Sequence, residues 1–145
     1  MKTQMNIKIL DWITYLFIAL FFYTAASKLM TLSAFEKVLS KVPLIGSFSH
    51  LMAWTIPIIE LVIGVLLIIP FTKRMGLYAA LGLMVMFTVY LGYMILSMSA
   101  EDLPCSCGGV VSLLSWQQHI WFNLSFVGLA ITGLILYKEQ KKLRA

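Results

Sequence analysis

Cys105 and Cys107 are the only cysteines in the chain, and they stand one residue apart in the run Leu103-Pro104-Cys105-Ser106-Cys107-Gly108-Gly109. A pair this close closes on itself only through a tight ring. Strained or exposed disulfides are the more oxidising and labile ones, suited to exchange with a partner. A structural bridge stabilises more when it closes a long loop. Pro104 restricts the backbone ahead of the pair, while Gly108 and Gly109 leave room for a partner sulfur to approach in line. The glycines make Cys107 the more accessible thiol. Two other readings compete: a local staple, or a soft-metal site completed by His50 or His119. Two sulfurs suit copper(I) or zinc, but two cysteines and two separated histidines are a weak ligand set, so no metal is expected.

Glu60 is the second residue able to do chemistry, because it lies inside a long apolar run. An acid in mid-bilayer costs about 3 kcal/mol on insertion scales and therefore faces a partner or a cavity. Pro57, one turn earlier, opens the backbone locally. Lys28, at the end of another apolar run, is long enough to reach inward towards it. His119 and Asn123 are four apart and share one helix face, where they can line a polar pocket beneath the cysteine loop. For Glu60, Lys28 and His119 two roles stand side by side: proton transfer, or a buried structural anchor. The methionines Met84, Met86, Met94 and Met98 read as packing and lipid contact. Gly64, Gly76, Gly82, Gly128 and Gly133 are small enough for helices to approach closely.

The elements that carry these residues follow from composition. The chain has 145 residues, 61% hydrophobic and 12% charged. A soluble protein of that size has no interior large enough for so much apolar surface, so lipid is its solvent. The net charge of +5 does not indicate nucleic acid, because the charges lie between and beyond the apolar runs, with no basic face. A spanning helix needs roughly 20 apolar residues. Four stretches qualify: about Ile9–Ser27, Phe48–Ile69, Met75–Met98 and His119–Tyr137. With no repeat or long linker, the expected fold is a single all-α domain over residues 1–145, a polytopic membrane four-helix bundle.

Lys2, Lys8, Lys73, Arg74, Lys138, Lys141, Lys142 and Arg144 fall on one side of these spans; only Lys28, Lys37 and Lys41 fall on the other. The positive-inside rule then puts both termini in the cytoplasm, and the Lys28–Ser47 and Ser99–Gln118 connections outside. The cysteines would lie on the oxidising side, where disulfides persist. Trp54, Trp116 and Trp121 fall near the outer interface and Trp12 near the inner one. A cleaved signal peptide ending at Thr24-Ala25-Ala26 is disfavoured, because the first span exceeds a usual signal core and its loss would part the termini.

Tyr23 to Leu29, with Ser27-Lys28-Leu29, resembles the first-helix signature of DoxX-like and MauE-like bacterial inner-membrane proteins. Pro57, Glu60 and Gly64 resemble the Pro-x-x-Glu-x-x-x-Gly pattern of their second helix, and the Cys-x-Cys loop resembles that of MauE-type members. The resemblance covers nearly the whole chain. It implies a membrane thiol–disulfide redox protein that works with a thioredoxin-like extracytoplasmic partner. Such a protein supports disulfide formation or maturation of proteins of the methylamine dehydrogenase small-subunit type. It also implies a membrane electron carrier, a quinone, near the outer ends of the helices. The loop departs from the Cys-Gly-Cys-Phe-Gly type of many relatives, and there is no second cysteine pair for a relay. The alternative is a DoxX-like non-enzymatic membrane subunit of a respiratory or stress-response complex. A small transporter fits poorly, with one intramembrane acid and no inverted repeat.

Overall fold

Backbone in lipid has no water to bond with, so a chain of apolar runs satisfies its N–H and C=O groups by coiling into helices. A computed structural model describes residues 2–41, 46–97 and 116–144 of the chain. Its helices are α1 (Lys2–Met30), α2 (Leu32–Ser40), α3 (Ser49–Ile68), α4 (Lys73–Ser97) and α5 (Trp116–Arg144). Single 3-10 turns at Gly46–Phe48 and Pro70–Thr72 lead into α3 and α4. There is no strand among the described residues. Helices α1, α3, α4 and α5 are long and apolar enough to cross a bilayer, so this is a multi-pass membrane protein.

The four long helices close a ring. α1 packs most extensively on α3, and α4 on α5, while α3–α4 and α5–α1 contacts complete it. Neighbours run antiparallel, the up-down-up-down arrangement that short connections favour. The buried stripe of α3 is Ala53, Pro57, Glu60, Ile63, Gly64 and Leu67, a repeat of four and three residues that keeps one face on the partner helix. On α1 the stripe is Leu10, Ile13, Thr14, Phe17, Phe21, Ala25 and Lys28. Phe17 and Phe21 stack at 5.8 Å, and Phe126 of α5 meets Phe17 edge-on at 5.2 Å. The outward faces stay apolar: Trp12 is 70% exposed, Trp121 71% and Leu96 89%. In water such a surface would drive association; in a bilayer it meets acyl chains.

Several features differ from what the apolar runs alone indicate. The helices α1 and α5 extend beyond the hydrophobic stretches at both ends, because polar residues at the interface continue a helix as readily as they leave it. Part of the connection after α1 is itself helical. In α2, Leu32, Phe35 and Leu39 share one face, with Leu39 buried, and Ser33, Glu36 and Ser40 lie on the other. Backbone bonds from Thr31 N–H to Ser27 C=O (3.1 Å) and from Phe35 N–H to Thr31 C=O (3.0 Å) carry the winding almost without a break from α1 into α2. The glycines are not equivalent. A Cβ on Gly64 would lie 2.9 Å from the Phe22 ring, and one on Gly76 would lie 2.9 Å from Leu67 Cδ2 and 3.0 Å from Leu67 N. Those two mark close helix approaches. Gly133 is buried where α5 meets α1 and α4, with room for a Cβ at ordinary contact distance, whereas Gly82 and Gly128 would meet nothing within 4 Å, so those two are not helix-packing positions within this chain.

Candidate functional site

Lys28 belongs to α1 rather than to the connection that follows it, and its side chain is only 9% exposed. Two turns of α1 before it, Phe22 packs over Gly64 of α3, so the absence of a side chain at Gly64 lets the two helices close up. One turn towards the N-terminus of α3 from Gly64, Glu60 is 1% exposed. The two charges meet: Lys28 Nζ donates to Glu60 Oε1 at 2.6 Å. Neither ion would be stable alone at this depth. Together each supplies what the other lost on leaving water, in a geometry short enough for a charge-assisted bond.

Aromatic faces surround the ammonium. Lys28 Nζ sits 4.9 Å from the ring centroid of Phe87 on α4 and 5.8 Å from that of Phe35 on α2. The ring quadrupole attracts a cation and does so more strongly where water is excluded. Thus one lysine ties together α1, α2, α3 and α4. Pro57, buried one turn from Glu60, lacks the N–H that would close the helical bond to Ala53.

The ion pair forms part of the wall of a cavity of about 420 Å³. Its lining comes from one end of the bundle: the C-terminal halves of α1 and α4, the N-terminal parts of α3 and α5, and α2. Leu20, Phe35, Ile56, Phe87 and Phe122 make it mostly apolar, with polar groups from Thr24, Lys28, Glu60, His119 and Asn123. His119 is half-buried and Asn123 is 5% exposed, both on the first two turns of α5. The shared face expected from their spacing is therefore a face of this cavity. Thr24 turns its hydroxyl back to the Phe21 carbonyl at 3.3 Å. Met84 and Met86 also line the cavity, with Met84 buried and Met86 on the outer surface.

Lys28, Glu60, His119 and Asn123 thus converge. Lys28 is more than a residue of the outer connection that reaches inward, since the helix carries it into the bundle. His50 is elsewhere, exposed, with Nδ1 3.4 Å from Glu36 of α2. Cys105, Cys107, Pro104, Gly108 and Gly109 lie outside the described residues; the chain enters and leaves that segment from the ends of α4 and α5 nearest the cavity. Nothing in the sequence marks Phe35 and Phe87. A Phe in an apolar span carries no signal that sets it apart from core residues, and the cavity they flank is a product of packing.

The family model of methylamine utilisation protein MauE matches residues 7–136. No curated protein and no solved structure matches the chain.

Proposed function

The chain belongs to the MauE family, and on that premise we propose that it is a membrane thiol–disulfide oxidoreductase whose working sulfurs are Cys105 and Cys107. The match to residues 7–136 carries this reading, because it takes in both the cysteine pair and the four helices whose one end frames the cavity. The protein sits in the inner membrane with both termini in the cytoplasm. The cavity end and the cysteine segment face outward, where a thioredoxin-like protein can reach them. Its task is disulfide formation in, or maturation of, extracytoplasmic proteins of the methylamine dehydrogenase small-subunit type.

The exchange step balances within the two proteins. A thiolate attacks one sulfur of a disulfide, that S–S bond breaks, and a mixed disulfide forms as the displaced thiolate leaves. The partner's second thiol then attacks the mixed disulfide, which releases the partner oxidised and leaves both cysteines of this chain as thiols. In this direction the disulfide attacked is Cys105–Cys107: Cys107, followed by two glycines, takes the partner's thiolate, and Cys105 is the thiolate displaced. Non-reducing gels of Cys105→Ser and Cys107→Ser protein from a native host test it. One variant is expected to hold a reducible adduct with a thioredoxin-sized protein, and the other none. If neither does, and both oxidise partner proteins like the parent, the redox role fails. Labelling of reduced intact cells with a membrane-impermeant maleimide tests the orientation; reaction of Cys105 and Cys107 only after lysis would invert it.

A second reading is a DoxX-like non-enzymatic subunit of a respiratory or stress-response complex. One observation favours it: among the described residues, helices alone bring Lys28 and Glu60 together and line the cavity beside them. It predicts loss of function in Lys28 and Glu60 variants and none in cysteine variants.

A further inference from the structure

The cavity wall holds polar groups whose bonding capacity the fold leaves unused. Glu60 Oε2 is buried and has no hydrogen-bond partner among the described residues. The Lys28 ammonium has three donors, of which one goes to Glu60 Oε1. Asn123, 5% exposed, brings an amide with donors and an acceptor to the same wall. Buried polar groups without partners are destabilising. One such oxygen on Glu60, beside the remaining donors of Lys28 and the amide of Asn123 on one wall of an otherwise apolar cavity, indicates a bound molecule with oxygens that accept from Lys28 and Asn123 and donate to Glu60. Phe35, Phe87 and Phe122 offer flat apolar faces beside them. Ile59 of α3 and Met86 of α4 line the cavity and are 39% and 52% exposed on the outside of the bundle, so the way in is from lipid.

We propose that this cavity is the head-group site of a lipid-soluble quinone. Lys28 and Asn123 donate to its ring oxygens, and Glu60 Oε2 accepts from a hydroxyl of its reduced form. A planar ring with oxygens that alternate between acceptor and donor, on an apolar tail, fits each of the observations above. The site deepens the thiol–disulfide reading and rests on it for its purpose. When two thiols close to a disulfide, two S–H bonds break, one S–S bond forms, and two electrons and two protons leave. A quinone takes up that same number of each on becoming a quinol. Lys28 and Glu60 place an ammonium and a carboxylate beside the ring oxygens.

Binding can be read without turnover. The purified full chain in phosphatidylcholine nanodiscs is photolabelled with an azido-substituted decylbenzoquinone, and the labelled peptides are mapped. Labelling is expected to saturate, to fall on α3 or α4 segments bordering the cavity, and to be displaced by decylubiquinone. Asn123→Leu should weaken that displacement about tenfold, the worth of one hydrogen bond of the stronger kind. Ile59→Trp, at the mouth and away from the polar wall, should reduce labelling with the unfolding temperature unchanged, which keeps the test independent of folding. Labelling that does not saturate, or that decanol displaces as well as decylubiquinone does, means a generic acyl-chain slot and overturns the proposal. The Cys105→Ser/Cys107→Ser double variant should bind like the parent. Binding with no partner adduct would leave the site and remove the redox reading; a partner adduct with no binding would do the reverse.

Discussion

Both ends of the bundle carry an acid–lysine pair that ties α1 to another helix, and the two pairs are built differently. At the cavity end Lys28 and Glu60 meet at 2.6 Å with side chains 9% and 1% exposed. At the other end Lys73, at the start of α4, reaches Asp11 of α1 at 3.3 Å with 21% and 42% exposed. Nearby, Asn6 of α1 donates to Glu139 of α5 at 3.4 Å, also in an exposed setting. The exposed pair lies where water and lipid head groups screen it, so its net contribution is small. The buried pair is an obligation: once one charge is inside, the other must be. What holds the far end is close backbone packing. α3 turns into α4 through four residues, Gly76 presses on Leu67, and the Thr72 hydroxyl bonds to the Leu66 carbonyl at 2.9 Å. The far end of the molecule spends its contacts on stability, whereas the cavity end keeps charge, polar groups and empty volume together.

Removing one charge from the buried pair is the strongest way to break this contrast. Lys28→Met or Glu60→Leu alone should destabilise the protein by about 3–5 kcal/mol, since each leaves an uncompensated buried ion. The double variant Lys28→Met/Glu60→Leu should recover most of that loss, because a buried pair replaced by apolar groups is near neutral. Thermal unfolding in nanodiscs of the four proteins decides it. A double variant as unstable as the singles would mean that the pair does more than satisfy itself. Glu60→Gln, which keeps an acceptor for Lys28, should insert and fold while losing any function that needs the carboxylate, which partner oxidation in cells would report.

The packed end should respond to volume instead. Gly76→Ala puts a methyl against Leu67, including its backbone nitrogen, and should cost about 1–3 kcal/mol. Gly82→Ala on the same helix has no neighbour within 4 Å and should be neutral, or stabilising by up to about 1 kcal/mol from helix propensity. Equal effects of the two, measured by the same unfolding assay, would show that helix propensity and not contact sets the cost. The smallest change is expected for Asp11→Asn, within about 1 kcal/mol, because its partner is screened and half of its side chain is open. A loss there comparable to that of Lys28→Met would erase the distinction between the two ends.

Hydropathy and length determined that this chain is a bundle of four membrane helices, because transfer of apolar side chains into lipid is a local sum that needs no knowledge of neighbours. The same reasoning marked Glu60, since a carboxylate in such a run demands a partner wherever it points. The i to i+4 spacing placed His119 and Asn123 on one face. Tertiary structure alone decided that Lys28 is that partner at bonding distance, that α2 folds Phe35 over it, and that the polar face of α5 borders a cavity rather than lipid. It also decided that Gly64 and Gly76 are packing sites and Gly82 and Gly128 are not. These depend on how each helix is rotated about its axis and how far it slides along its neighbour. Composition and period leave those quantities open; the fit of Phe22 over Gly64, and of Leu67 against Gly76, sets them.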